Sequence, residues 1–341
     1  MYIENNITKK NISNWLLFMF SLVALMIVVG GLTRLTDSGL SITKWDLFQG
    51  FIPPINNLDW DNYFNLYKET SEYKLQNYSM ELSQFKIIFW WEWAHRFLGR
   101  LLGICFLIPM VYFSFKIGFV KLTNIYLIFF LICFQGFIGW YMVSSGLIDR
   151  VDVSHFRLAL HLIVAFIILS LILWSYLKIN ILNNNFRKFQ SKLPLFFVFF
   201  LFFQIIIGAF VSGMDAGTIY NSWPLMGTSY FPDDNNFINL FKISAFSDPS
   251  LVQFMHRNLA YLILLFYLLM LIKIYRNNLK NLFLSIKIVG FFLFIQILLG
   301  IFTLVYGAQI ILASMHQISS IFLVSSSVYL FYLNTNQQPS N

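Results

Sequence analysis

The sequence predicts an all-α integral membrane protein whose eight transmembrane helices form two parallel-repeat four-helix bundles. Of its 341 residues, 58% are hydrophobic and only 11% are charged, which is more apolar side chain than a soluble domain of this size can bury. The apolar residues fall into eight segments long enough to cross a bilayer. The same short motifs recur in both halves of the chain, which indicates a duplicated unit.

Each predicted span contains about 20 mainly apolar residues, the length that a helix needs to cross the hydrocarbon core. The last span is the least apolar, because it contains Gln317 and several serines. The first 14 residues contain no cleavage site, so the first span is expected to remain in the protein as a helix. The eight spans are predicted at residues 15–33, 87–115, 122–144, 156–178, 193–213, 251–274, 282–306 and 309–333.

Charge predicts the orientation of these spans. With an even number of spans, both termini lie on one side, and that side carries twelve of the 23 Lys and Arg residues but one acid, Glu4. The other side carries the remaining 14 of the 15 acids. The positive-inside rule therefore predicts that both termini are cytoplasmic. Because the basic residues lie in short clusters between spans, the net charge of +8 does not indicate a nucleic-acid partner.

The repeated motifs predict two units, at residues 1–180 and 181–341. Both units begin on the cytoplasmic side, so the repeat is parallel, about an axis along the membrane normal. Three pairs of motifs show the repeat. Gly30-Gly31 followed by Asp37 corresponds to Gly208 followed by Asp215, and Glu92-Trp-Ala-His95-Arg96 corresponds to Gln253-Phe-Met-His256-Arg257. The third pair is Gln135-Gly136-Phe-Ile-Gly139 and Gln296-Ile-Leu-Leu-Gly300.

Two outer loops are long, at residues 34–86 and 214–250, and loops of this length are usually functional. The first contains an amphipathic-looking stretch at residues 63–85. The only two cysteines, Cys105 and Cys133, fall inside apolar segments. The sequence therefore predicts free buried thiols, and neither a disulfide framework nor a zinc site.

Four histidines lie at matched positions, one or two turns into the even-numbered spans: His95, His161, His256 and His316. Every even-numbered span enters from outside, so all four imidazoles are expected near the outer surface. Two inward-facing histidines on separate helices are the arrangement that holds a heme iron from both axial sides. A single such histidine would more simply bond a neighbouring helix, but two in each unit favour heme ligation. For His155, without a counterpart in the second half, a solvated or interfacial position is expected.

Glu92 is the only carboxylate predicted within a span, and its counterpart is the neutral Gln253. It precedes His95 by three residues, so both project from nearly the same helix face. An acid in this position can trade protons with a substrate. Alternatively, it pairs with Arg96 or Arg100 and stabilises the helix mouth. The residues alone leave both possibilities open.

Arg96 and Arg257 directly follow two of the histidines. A guanidinium at the membrane edge can pair bidentately with a heme propionate. It can equally be an interfacial anchor whose charged end reaches water.

These motifs together resemble the heme A synthase family, along nearly the whole chain. The matching stretches are Gly30-Gly31-Leu-Thr-Arg34-Leu-Thr-Asp-Ser-Gly39-Leu-Ser, Phe85-Lys86-Ile-Ile-Phe-Trp-Trp-Glu92-Trp-Ala-His95-Arg96-Phe-Leu-Gly99-Arg100, Gly139-Trp-Tyr-Met-Val-Ser-Ser-Gly146, Arg157-Leu-Ala-Leu-His161-Leu and Gly213-Met-Asp-Ala-Gly217, followed by Asn221-Ser-Trp-Pro-Leu-Met226.

The resemblance implies an oxidoreductase that converts the methyl group of heme O to the formyl group of heme A by successive hydroxylations. In that case His95 and His161 hold the substrate heme iron, with Glu92 as the catalytic residue beside the reacting methyl. His256 and His316 then hold the iron of a heme b cofactor.

The resemblance also implies the setting: the inner membrane of a bacterium, surrounded by lipid, with heme O delivered by heme O synthase. An electron donor or acceptor is required, which the sequence does not identify, and a homo-oligomer is possible. Some bacterial members carry a cysteine pair in the first outer loop, and this chain has none there. It is similar to the cysteine-free branch shared by proteobacteria and mitochondria, so a disulfide in that loop cannot be part of its cycle.

Two other functions fit parts of the pattern. A diheme electron-transfer protein of the cytochrome b type would use the four histidines equally well, but it would need no glutamate in one unit only. A transporter with parallel repeats would show broken helices near the midplane. Here Pro109 is the only clear proline in the middle of a span.

Overall fold

The computed structural model describes residues 6–45, 49–181 and 191–335, which form ten α-helices and no β-strand. Eight of these helices are long and apolar enough to cross a membrane, which confirms the eight predicted spans and the all-α class. The two short helices, Asn57–Lys68 and Ser71–Leu75, lie in the first outer loop. The helices are α1 (Asn6–Leu35), α2 (Asn57–Lys68), α3 (Ser71–Leu75), α4 (Leu82–Ile117), α5 (Thr123–Asp149), α6 (His155–Asn180), α7 (Leu193–Gly213), α8 (Pro249–Arg276), α9 (Phe283–Val305) and α10 (Ile310–Thr335).

Several helices begin before their apolar segments, because polar caps satisfy the first backbone N–H groups. At the start of α8, the carboxylate of Asp248 accepts a hydrogen bond from the backbone N of Leu251 at 3.0 Å. At the start of α4, the side-chain oxygen of Gln84 accepts from the backbone N of Glu81 at 3.0 Å. The helix α4 then continues through Pro109 without interruption.

The helices pack into two groups. In the first group α1 contacts α4 and α6, and α5 contacts α6; in the second, α7 contacts α8 and α10, and α9 contacts α10. One cluster of buried apolar side chains lies mainly among α1, α4, α5 and α6 and another mainly among α7, α8 and α9, and α10 contributes to both. Large apolar side chains such as Ile108, Phe130 and Leu284 are exposed on the outside, as expected for surfaces that face lipid. That the groups are related as parallel repeats stays a prediction, as does the boundary at residue 180.

The two groups meet through polar contacts as well as through apolar packing. Gln317 of α10 donates a hydrogen bond to the backbone carbonyl of Ile27 in α1 at 2.8 Å, and its side chain fills the notch at Gly31. Gln317 lowers the hydropathy of the last span, but its side chain contacts another helix and not lipid. At the outer end, Arg34 donates to the carbonyl of Ser212 at 2.8 Å and to Asp215 at 3.0 Å.

The first outer loop folds into a cap over the start of α4. The side chains of Trp60, Phe64, Tyr67, Phe85 and Phe89 are buried against one another there. Tyr67 and Phe85 have ring centres 5.2 Å apart. The amphipathic-looking stretch of the sequence thus supplies the apolar side of this cap.

The orientation of the spans stays a prediction. Four of the charges on which it was based, Glu4, Asp46, Arg187 and Lys188, lie outside the described residues. The remaining basic residues of the inner side lie at the inner ends of helices, as Lys178 does in the last turn of α6 and Arg276 in the last turn of α8.

Candidate functional site

The first group of helices brings His95 of α4 and His161 of α6 together. Their ring centres are 6.3 Å apart and the rings are inclined at 77°. Two imidazoles that bind one metal from opposite sides, at metal–nitrogen distances of about 2 Å, have ring centres about 6 Å apart. The spacing of this pair therefore suits a single shared iron.

The second group contains His256 of α8 and His316 of α10, and each of them lies beside a glutamine of a neighbouring helix. The side-chain amide nitrogen of Gln204 lies 3.2 Å from Nε2 of His256, and that of Gln296 lies 3.3 Å from Nε2 of His316. Each glutamine therefore holds the ring of its histidine in place. Neutral imidazole is the form that binds iron.

Three of these rings have a buried nitrogen without a partner. The Nδ1 atoms of His161, His256 and His316 are buried and make no hydrogen bond. A buried polar atom without a partner costs free energy unless another group completes it. The donor set, with two imidazoles in each group, fits a heme iron. The described residues contain no cluster of three or more His, Cys, Asp or Glu side chains that could hold a metal ion in another way.

Each of the four rings also packs against a glycine of a neighbouring helix. A methyl group added at Gly30 would lie 3.0 Å from Nε2 of His95, and the other three pairs have similar distances of 3.0–3.1 Å to Cε1 of the ring. Any side chain at these positions would displace the imidazole. In the sequence these glycines indicated only the repeat, although three of the four are the last residue of a Gln-x-x-x-Gly motif. The other pairs are Gly139 with His161, Gly208 with His256 and Gly300 with His316.

Glu92 is buried beside His95, with both carboxylate oxygens occupied. Oε2 accepts hydrogen bonds from Oγ of Ser41 and from the backbone N of Ile42, both at 2.7 Å. Oε1 accepts from Nε of Arg96 at 3.0 Å and from Nη2 at 2.6 Å. The ion pair with Arg96 that the sequence left open is therefore present. The loop partner Ser41 was not predicted, although it lies within the family motif at residues 30–41.

Both candidate propionate partners donate to the outer loops. Arg96 bonds the carbonyls of Ile42 and Lys44, at 2.8 and 3.1 Å. Arg257 bonds three carbonyls of the second outer loop, those of Tyr220, Ser222 and Leu225, at 2.9–3.2 Å. Pairing with a propionate stays a prediction.

The remaining polar candidates have structural partners. Arg100 donates to the carbonyl of Gly50 at 3.1 Å and does not reach Glu92. Nε2 of His155 lies 3.1 Å from the carbonyl of Phe246, so this histidine fixes the second outer loop at the start of α6. Gln253, the counterpart of Glu92, donates to the carbonyl of Tyr220 at 3.1 Å. The two halves thus attach their outer loops in related ways, one with an acid and the other with an amide.

Eight helices long enough to span a membrane, together with four partly buried histidines of which two have ring centres 6.3 Å apart, define a class of multi-pass membrane protein suited to bind heme. The profile of the cytochrome oxidase assembly protein family matches residues 13–328. The chain belongs to this family, and within it to the heme A synthase family, as the sequence motifs predicted.

Relatives named heme A synthase are similar along their whole length. That of Pelagibacter ubique is 48% identical over 345 residues, covering 98% of this chain and all of the relative. That of Rickettsia bellii is 42% identical, covering 96% and 99%. That of Flavobacterium johnsoniae is 40% identical, covering 95% and 97%.

Proposed function

We propose that this chain is a heme A synthase, an enzyme that oxidises the methyl group of heme O to the formyl group of heme A by successive hydroxylations. The names of its relatives support the reaction. The observation that carries the proposal is the pair of imidazoles with ring centres 6.3 Å apart in the first group of helices. Substrate heme would be held there by His95 and His161.

The second group would hold a heme b cofactor between His256 and His316. When bound, this heme supplies one-electron chemistry. The protein's contribution is the fixed orientation of both rings, which pack against Gly208 and Gly300 and lie beside the amides of Gln204 and Gln296. A metal ligand whose ring is held in this way loses little freedom on binding.

Glu92 would stabilise positive charge that develops at the substrate methyl during oxidation. Its position is fixed by Ser41, by Arg96 and by the backbone of Ile42, so no rearrangement is needed at the moment of reaction. The counterpart Gln253 attaches the second outer loop without a charge. This difference supports chemistry in the first half and a passive cofactor in the second.

The setting belongs to the same proposal. We place the chain in the bacterial inner membrane with both termini in the cytoplasm, which the positive-inside rule supports. Both sites would then lie near the outer face. Heme O would come from heme O synthase within the membrane, and a separate redox partner would exchange the electrons.

Glu92→Gln tests the role of the carboxylate. The amide can still bond Ser41 and the backbone of Ile42, so we expect bound heme to be retained while heme A formation falls by about 100-fold. Ser41→Ala is the matched control, because it removes one hydrogen bond and keeps the charge; it should retain most of the activity. Formation of heme A by Glu92→Gln at the wild-type rate would show that the assigned role is wrong.

Extraction of pigment from the purified protein tests the function itself. We expect heme b together with heme O or heme A. Heme b alone, at two per chain, would instead favour an electron-transfer protein of the cytochrome b type. Absence of a Soret band would favour a transporter, although the continuous course of α4 through Pro109 argues against one.

A further inference from the structure

A cavity of about 240 Å³ lies between α5 and α6, at the end of the first group of helices opposite to the histidine pair. Lys178, in the last turn of α6, lines the cavity, whereas His161 lies near the start of the same helix. A water molecule needs only about 15 Å³ of such space, so the cavity can hold a much larger group. Its polar lining consists of Lys121, Thr123, Asn124, Ser175 and Lys178.

The charge of this lining is positive. Lys121 is exposed and Lys178 is partly buried, and no Asp or Glu of the described chain lines the cavity. Within the part of the chain that the structure describes, neither lysine forms an ion pair or a side-chain hydrogen bond. Because an ammonium group that is partly withdrawn from water is stabilised by an opposite charge, the cavity favours an anion.

Neutral donors complete the lining. Oγ1 of Thr123 donates to the carbonyl of Val120 at 2.8 Å, whereas the side chains of Asn124 and Ser175 make no hydrogen bond among the described residues. An amide, a hydroxyl and an ammonium can each donate to a phosphate oxygen. The cavity therefore offers two charges and two further donors to a phosphate group.

The rim of the cavity is apolar and exposed. Val120 lines the cavity with 88% of its surface exposed, and the neighbouring Phe119 is exposed by 57%. The ring centre of Phe119 lies 5.7 Å from that of Phe115, which is also exposed, so the two rings form one apolar surface. At the end of a membrane-spanning helix such a surface faces acyl chains. A free phosphate would not use this surface, whereas a phosphate attached to a lipid would.

We propose that this cavity binds the phosphate group of an anionic phospholipid, whose acyl chains lie along Phe119 and Phe115. Two lysines favour an anionic headgroup over a zwitterionic one, because they repel the ammonium group of the latter. Basic pockets between membrane-spanning helices on the cytoplasmic side bind such headgroups, and the predicted orientation places the cavity on that side. The inference does not depend on the proposed function of the histidine sites.

Titration of the purified full-length protein in a neutral detergent, with phosphatidylglycerol that carries a fluorophore on one acyl chain, measures this binding. We expect Lys121→Gln/Lys178→Gln to weaken the affinity by about tenfold or more. Lys273→Gln/Lys280→Gln is the matched control, because it removes two exposed lysines from the same end of the second group and leaves the cavity intact. The control should bind the lipid as wild type does.

Ser175→Leu fills the cavity without changing its charge and should also weaken the binding of phosphatidylglycerol. An unchanged circular dichroism spectrum reports that each variant folds. Equal affinity of wild type and the Lys121/Lys178 variant would overturn the inference. An equal loss in both double variants would also overturn it, because general charge attraction would then explain the binding.

Two further ligands separate the possible sources of the phosphate group. Phosphatidylcholine with the same fluorophore should bind more weakly than phosphatidylglycerol, and its affinity should not depend on the two lysines. Inorganic phosphate should displace the fluorescent phosphatidylglycerol only at a large excess, because it gains nothing from the apolar rim. Binding of inorganic phosphate to wild type without binding of phosphatidylglycerol would show that the assignment to a lipid is wrong.

Discussion

Replacement of Glu72 by glutamine should stabilise the outer cap, by an amount that depends on pH. Glu72 lies in α3 with only 3% of its surface exposed, and its Oε2 is buried without a partner. Oε1 accepts a hydrogen bond from Asn77 at 3.4 Å. Burial raises the pKa of this carboxyl from 4.5 to about 8.

The direction in which the stability of the cap changes with pH follows from proton binding. Between pH 4.5 and about 8 the folded cap keeps the proton of Glu72, whereas the unfolded chain releases it. The cap therefore loses stability as the pH rises through this range. The loss is about 3 kcal/mol at pH 7 and about 5 kcal/mol above pH 8. Glutamine has the same shape and no proton to lose, so Glu72→Gln should remove this loss.

Amide hydrogen exchange in α2 and α3, measured from pH 5 to pH 9 in detergent and corrected for the intrinsic rate, gives the free energy of opening the cap. The difference between Glu72→Gln and wild type should be small at pH 5 and should increase up to about pH 8. Glu69→Gln is the matched control, because it removes a carboxylate from an exposed position of the same loop. A difference that stays constant across this range, or a variant less stable than wild type at pH 7, would refute the reasoning.

Two further predictions concern the histidine sites and the contact between the two groups of helices. Gly208→Val should lower the heme content of the second half by about tenfold or more, because the first carbon of the new side chain would lie 3.0 Å from the His256 ring. Gly208→Ala should lower the heme content less. A full Soret band in the valine variant would contradict this prediction. Arg34→Met should lower the melting temperature by a few degrees, because the bonds from Arg34 to Ser212 and Asp215 contribute about 1 kcal/mol with one partner exposed. An unchanged melting temperature would show that the two groups of helices are held together without these bonds.

The spans could be predicted from sequence because the bilayer sets both their length and their composition. The family motifs were equally visible along the chain. For these features, local sequence and membrane thickness together were sufficient. The common level of the four histidines stays a prediction, because His161, His256 and His316 lie six or seven residues from the starts of their helices, whereas His95 lies 13 residues from the start of α4.

The partners of the site residues could not be predicted in the same way. Ser41 and Glu92 are separated by 51 positions, and they meet only because the cap folds back onto α4. Gln317 bonds Ile27 from the opposite end of the chain. Such contacts depend on how the helices pack, and neither apolar periodicity nor residue type specifies that packing. The glycines against the histidine rings are intermediate, because their motif is visible in the sequence while its purpose appears only in three dimensions.

One asymmetric position supports the proposed division of roles between the two groups of helices. The features that hold a ring, a histidine on one helix and a glycine on its neighbour, occur in both halves. The halves differ beside that ring, where Glu92 of the first half corresponds to Gln253 of the second. In the proposed function this acid adds charge where the substrate reacts, and the amide attaches the second outer loop without a charge. If Glu92 were instead required for the binding of heme b in the second half, this division of roles would be wrong.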